Sequence, residues 1–141
     1  MSYVSGPFAA ALAWEKIQNS ALAVPAGFDQ QTVTQLSATY DFKAVRLYGQ
    51  IGRINTDATI NVKHNLVQIG AAIPVGQALI LLAYGDSRAK TDFSQTTDRT
   101  YSLAYDYFVS KNLDIYVAAM HESVFQLSSG KSVAGGVRLR F

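Results

Sequence analysis

No cysteine occurs in the 141 residues, which removes disulfide frameworks, thiol nucleophiles and thiolate metal sites together. Charge is scarce as well. Asp, Glu, Lys and Arg make up 16% of the chain, against roughly a quarter in soluble domains. The 12 Lys and Arg residues are dispersed, so no basic footprint for nucleic acid is present and that partner class is excluded. Long hydrophobic runs are also missing. The nearest to one, residues 69–85 (IGAAIPVGQALILLAYG), carries Pro74, Gly76 and Gln77 at its centre and falls slightly short of the ~20 residues a spanning helix needs. Two strands joined by a tight turn fit it better. Residues 8–14 (FAAALAW) look like the apolar part of a secretory leader, but no Lys or Arg precedes them and Glu15 and Lys16 follow at once. They read as a strand.

What is present is alternation. The chain is 49% hydrophobic, with 8 Tyr and 7 Phe, yet its mean hydropathy is only +0.09. Strands with one apolar and one polar face produce such an average. The last eleven residues show the pattern most clearly. Val133, Gly135, Val137, Leu139 and Phe141 fall on one face, and Ala134, Gly136, Arg138 and Arg140 on the other. In a soluble barrel the apolar row would face a core; in an outer-membrane barrel it faces lipid, and the arginines face a wet interior.

Eight strands are predicted, near residues 6–18, 32–42, 44–54, 65–74, 77–89, 99–109, 112–122 and 132–141. Most are about ten residues long, the length of a strand tilted across a hydrocarbon layer, whereas ordinary strands have about five or six residues. The connections alternate between long and short, with long loops predicted at 19–31, 55–64, 90–98 and 123–131. Outer-membrane barrels sort their loops in this way.

Reading the faces strand by strand places Glu15, Arg46, Tyr48, Gln50, Gln68, Asp106, Asp114, Tyr116, Arg138 and Arg140 on the polar, inward side as pore-lining candidates. Residues 78–83 are apolar on both faces and take no orientation from the pattern. Trp14, Tyr40, Phe42, Tyr101, Tyr107 and Phe141 lie toward strand ends, where interfacial aromatic girdles sit, although cross-strand aromatic packing accounts for them equally well.

These residues resemble the C-terminal half of a general Gram-negative porin of the beta-proteobacterial type. The resemblance is carried by YVSGPFAAALAW (3–14), SATYDFKAVRLYG (37–49), YSLAYDYFVSKNLDIYVA (101–118) and VAGGVRLRF (133–141). It implies an all-β fold, an antiparallel up-and-down transmembrane barrel, with passive diffusion of small hydrophilic solutes and ions as the activity. It further implies residence in the bacterial outer membrane among its lipids and lipopolysaccharide, a homotrimer, and reading of the last strand by the barrel-assembly machinery, with Phe141 as the assembly signal. Leu139 departs from the pattern, standing where such proteins often carry an aromatic. Such porins also resemble sixteen-stranded barrels with a signal peptide, whereas here a single segment, 1–141, supplies about eight strands. The chain is therefore expected to be half of a wide barrel. The inward positions agree, being mostly Ala, Gly, Ser and Thr, too small to fill a closed eight-stranded interior.

No catalytic constellation emerges, and neither an enzyme activity nor a cofactor is expected. His121 and Glu122 are adjacent on a strand and point to opposite faces, so they do not converge. Gly130-Lys131-Ser132 mimics the end of a phosphate-binding loop, but Phe125 stands where that loop needs glycine. Asp86, Asp92 and Asp98 are spaced too widely for a calcium loop. The inward arginines leave two readings open: a positive constriction that favours anions, or groups engaged in ion pairs or with lipopolysaccharide phosphate near a rim. Two further architectures stand beside the porin half: a self-contained eight-stranded outer-membrane barrel serving as adhesin or anchor, and a soluble lipocalin-like barrel with its apolar rows turned inward.

Overall fold

The computed structural model describes residues 1–18, 27–124 and 129–140. They form one antiparallel sheet of nine strands in sequence order: β1 (Ser2–Ser5), β2 (Phe8–Gln18), β3 (Phe28–Asp41), β4 (Arg46–Ala58), β5 (Val62–Val75), β6 (Ala78–Thr91), β7 (Gln95–Phe108), β8 (Leu113–Val124) and β9 (Ser129–Leu139). No helix occurs among the described residues. All eight predicted strands are present, and residues 69–85 form a hairpin, as expected, turning at Gly76 and Gln77. The ninth element, β1, was not anticipated. Gly6 takes a left-handed φ of 55° and turns the chain so that Ser2–Ser5 pairs with Ala11–Phe8. The predicted first strand, 6–18, accordingly begins at Phe8.

The predicted loop pattern needs a larger correction. Between β4 and β5 only residues 59–61 are unpaired, and between β6 and β7 only 92–94. At the other end, the turns at 42–45 and 109–112 are no shorter. The polar stretches assigned to long loops are instead strand. β3, β5, β6 and β7 each run to 14 residues. Fourteen residues extend about 46 Å, and a tilt near 40° reduces that to about 35 Å, against an apolar band of about 25 Å. The ladder therefore continues beyond the hydrocarbon. There both faces are wet and alternation no longer marks a strand. The loops predicted at 19–31 and 123–131 contain residues 19–26 and 125–128, which lie outside the described residues, as does Phe141.

Register assigns every side chain to a face. Leu12, Leu36, Ile51 and Val67 are successive cross-strand partners over β2–β5. Leu82, Leu103, Ala119 and Val133 are the same over β6–β9. This apolar face is the more exposed one: Val133 is 77% accessible, Ile69 59% and Ile51 53%. The opposite face is more enclosed, with Asp114 at 0% and Asp106 at 7%. A sheet curved toward its polar side gives this contrast. The only buried hydrophobic residues among those described are Ala72 and Ala78, so the fold has no oily core. The soluble lipocalin-like architecture, which needs one, does not fit. The closed eight-stranded architecture requires the first and last strands to pair, and β1 and β9 stand at opposite ends of the strand order.

The segment without orientation in the sequence now has one. Ala78, Ile80 and Leu82 join the apolar face, while Leu79, Leu81 and Ala83 join the polar face.

Candidate functional site

All ten predicted lining residues share the polar face. Gln50 and Gln68 are direct partners across β4 and β5, Tyr48 pairs with Thr39 of β3, and Glu15 pairs with Val33. Asp106 pairs with Tyr116, and Asp114 with Arg138. Arg140 lies just past β9, where its amide donates to the carbonyl of Asn112 at 2.8 Å. A hollow of about 500 Å³ on this face is lined by Ser37, Thr39, Gln50, Gln68, Ser87 and Thr100 together with apolar surface from Leu66, Leu81 and Tyr48. Gly70, Gly85, Ala83 and Ala104 keep its wall low.

The structure resolves the open question about the arginines. Each is paired with a carboxylate, and the pairs gather at the end of the sheet that carries the turns 42–45, 76–77 and 109–112, expected from the sequence as the short-turn end. Arg46 donates through Nε (3.0 Å) and Nη2 (2.6 Å) to Oδ2 of Asp41, while Oδ1 of Asp41 accepts the Lys43 amide at 2.7 Å. That second bond closes a tight turn in which Lys43 takes a left-handed φ of 70°, an arrangement side-chain capping favours. On the far side of the sheet, Arg138 donates through Nε to Oδ2 of Asp114 at 2.8 Å, and its Nη2 reaches both Asp114 and Asp106. Arg140 completes the group with Nη2 3.0 Å from Oδ1 of Asp114. The guanidinium of Arg138 also lies 5.9 Å from the centre of the Tyr116 ring, within cation–π range.

Among the described residues, Glu15, Asp98 and Glu122 on the same face have no cationic partner. They lie toward the end opposite the arginine pairs. The uncompensated charge of this face is therefore negative, contrary to a positive constriction. Asp41, the partner of Arg46, was absent from the predicted lining set. Its signal was available, since Asp and Arg flank the Phe42-Lys43 turn and strand pairing opposes them.

His121 and Glu122 fall on opposite faces, as expected. So do Asp86 and Asp98, since Asp86 pairs with Arg99, one residue from Asp98 on β7. Among the described residues no group of His, Asp and Glu is arranged to hold a metal.

Aromatic residues rim the apolar face. At the short-turn end Tyr40 and Phe42 are 4.4 Å apart between ring centres, and Tyr3 and Phe8 6.3 Å. Toward the other end Tyr84 and Tyr101 lie 5.0 Å apart, and Trp14 is 65% exposed. Two aromatic rows bounding an aliphatic band match the interfacial girdles of a membrane barrel.

Comparison with known proteins agrees with this geometry. The family model described as Gram-negative porin matches residues 1–124. No curated protein matches the chain. Among solved structures, a loop L8 deletion mutant of OmpT, an outer membrane protein of Vibrio cholerae, superposes with a TM-score of 0.84 at 8% identity, covering 98% of this chain and 51% of that one. An anion-selective porin from Comamonas acidovorans superposes with a TM-score of 0.80 at 20% identity, covering 99% of this chain and 47% of that one. Outer-membrane expressed OmpT of Vibrio cholerae gives 0.76 at 15% identity, covering 99% and 48%. The chain thus spans about half the length of these structures.

Proposed function

The chain belongs to the Gram-negative porin family, whose place is the bacterial outer membrane, and on that premise we propose that its polar face lines a water-filled path for passive diffusion of small hydrophilic solutes and ions. The observation that carries this is the inversion of polarity. Exposed aliphatic side chains cover one face, the buried carboxylates Asp106 and Asp114 sit on the other, and no apolar core lies between. No reaction is proposed. The free edges of β1 and β9 carry unpaired N–H and C=O groups, which are costly in hydrocarbon, so further strands close the barrel. A homotrimer, and recognition of the last strand and Phe141 by the assembly machinery, belong to the same proposal. The anion selectivity in the name of the Comamonas porin is not carried over, because this face keeps Glu15, Asp98 and Glu122 without a cation.

Because the chain has no cysteine, single cysteines report their surroundings cleanly. In lipid bilayers, Gln50→Cys and Gln68→Cys are expected to react with a membrane-impermeant thiol reagent, and Ile51→Cys and Ile69→Cys to resist it. Planar-bilayer recordings should show step-like conductance that labelling at Gln68→Cys reduces. The reverse labelling pattern, or bilayers that never conduct, would remove the pore.

A further inference from the structure

Over β3–β7 the polar face carries Asp41, Arg46, Asp98 and Asp106 near strand ends and leaves the rows between them uncharged. Ser37, Gln50, Gln68, Gly85 and Thr100 are successive cross-strand partners in one such row. The next row toward Arg46 is Thr39, Tyr48, Gly70, Ala83 and Ser102. Both rows line the hollow of about 500 Å³. Among the described residues, the side chains of Ser37, Gln50, Gln68, Thr100 and Ser102 have no hydrogen-bond partner in the protein.

Small residues shape the floor. Gly70 of β5 and Ala83 and Gly85 of β6 leave a nearly bare patch of ladder at its centre. Leu66 and Leu81 bound that patch along the strands, and Tyr48 stands on its β4 side. A Cβ at Gly85 would lie 3.6 Å from Cγ and 3.7 Å from Nε2 of Gln68, so the Gln68 side chain rests over bare backbone. The carboxamides of Gln50 and Gln68 thus meet the patch from one side, and the hydroxyls of Thr100 and Ser102 from the other. A concave, largely apolar surface with a few placed polar groups, of this volume, has the character of a small-molecule site.

The lining selects a ligand class. An apolar ligand would strip water from the carboxamides without replacing its hydrogen bonds. An anion meets no cation, since Asp98 is the one charged residue in the lining, and a cation would use Asp98 alone at the margin. A sugar ring matches both parts. Its C–H faces are apolar and fit Tyr48, Leu66 and Leu81, while the hydroxyls at its edge donate and accept, as carboxamides do. We propose that the hollow is a binding subsite for an uncharged mono- or disaccharide, held at its edge by Gln50 and Gln68 and facing Thr100 and Ser102. The proposal rests on the pore reading above and names a solute class for it.

The test uses the full chain refolded in a detergent without a sugar headgroup, with maltose and gluconate as probes and binding followed by saturation-transfer NMR. Maltose should bind saturably and gluconate several-fold more weakly. Gln50→Ala/Gln68→Ala should weaken maltose binding about tenfold. Either single change should give a partial loss and guards against misfolding of the double variant. Ala83→Leu, which fills the floor and removes no polar group, should weaken binding as well. Gln95→Ala, which removes a carboxamide from the opposite face, should leave it unchanged. Gluconate binding as tightly as maltose, equal weakening by Gln95→Ala and the double variant, or folded chain without saturable maltose binding would overturn the proposal. Conductance is recorded separately on the same preparations. Protein that binds maltose without conducting retains this inference and loses the pore; protein that conducts without saturable binding retains the pore and loses this inference.

Discussion

Asp114 of β8 and Arg138 of β9 are direct cross-strand partners, and the carboxylate is fully buried beneath the guanidinium that it accepts from at 2.8 Å. Arg138 also serves Asp106, two strands away, so one cation ties three strands near the short-turn end. Removing one partner leaves a buried charge unmatched, whereas removing both removes the demand. Arg138→Gln alone is expected to destabilise the folded chain, because Arg140 then faces two carboxylates. Asp106→Asn/Asp114→Asn/Arg138→Gln should be closer to the parent than Arg138→Gln is. Urea titration in lipid vesicles, followed by the heat-dependent gel shift of folded barrels, checks the order. A triple variant less stable than the single one would mean that the ion pairs act by direct attraction.

Ion preference should follow the unpaired acids and not the arginines. Arg46, Arg138 and Arg140 each have a carboxylate partner, whereas Glu15, Asp98 and Glu122 lack a cation on the same face. Glu15→Gln/Glu122→Gln is expected to move the reversal potential in a KCl gradient toward anions, and Arg46→Gln, which frees Asp41, to move it toward cations. Both shifts should be clear near 0.1 M salt, where charge is felt over about 10 Å, and small near 1 M, where the range is about 3 Å. A shift that persists at 1 M would indicate steric rather than electrostatic control.

The two faces of β8 should tolerate charge very differently. Val117 is 49% exposed on the apolar face, between Tyr105 and Gly135, and its neighbour Ala118 faces the polar side. Val117→Arg near the middle of the band is expected to cost about 2–4 kcal/mol in vesicle folding titrations, with Ala118→Arg well below that. Equal costs would show that lipid does not cover the Val117 side.

The strands were legible because alternation survives wherever one face meets lipid and the other water, as in Leu113–Ala119 and Val133–Leu139. The same rule hid the outer ends of β5 and β6. At Val62–His64 and Lys90–Thr91 both faces are wet, polar residues fall on each, and only pairing reveals a strand. That is why Lys63 and Lys90, direct partners across β5 and β6, read as loop residues. Placing the ten candidates on the polar face needed only parity, which sequence supplies. Their electrostatics needed partners on other strands, and register alone brings Arg138 within reach of Asp106. The run at 78–83 could not be oriented because Leu79 and Leu81 break the small-residue character of the polar face, and nothing local compensates for them.

Gly136 offers the sharpest test of packing on the polar face. It is the direct partner of Tyr116, and a Cβ there would lie 2.7 Å from the Tyr116 hydroxyl oxygen and 2.9 Å from Cζ. These distances are below any real carbon contact. The backbone at Gly136 is ordinary strand, so the requirement concerns space and not φ. The tyrosine ring rests on the bare backbone of β9, in reach of the Arg138 guanidinium. Gly136→Ala must therefore push the ring off its seat, and Gly136→Val more so. A ring displaced away from the sheet enters the space above the polar face. If that space conducts, Gly136→Val should lower single-channel conductance, and Tyr116→Ala added to it should restore most of the loss. Unchanged conductance in Gly136→Val, with folding intact by gel shift, would place the ring outside the ion path.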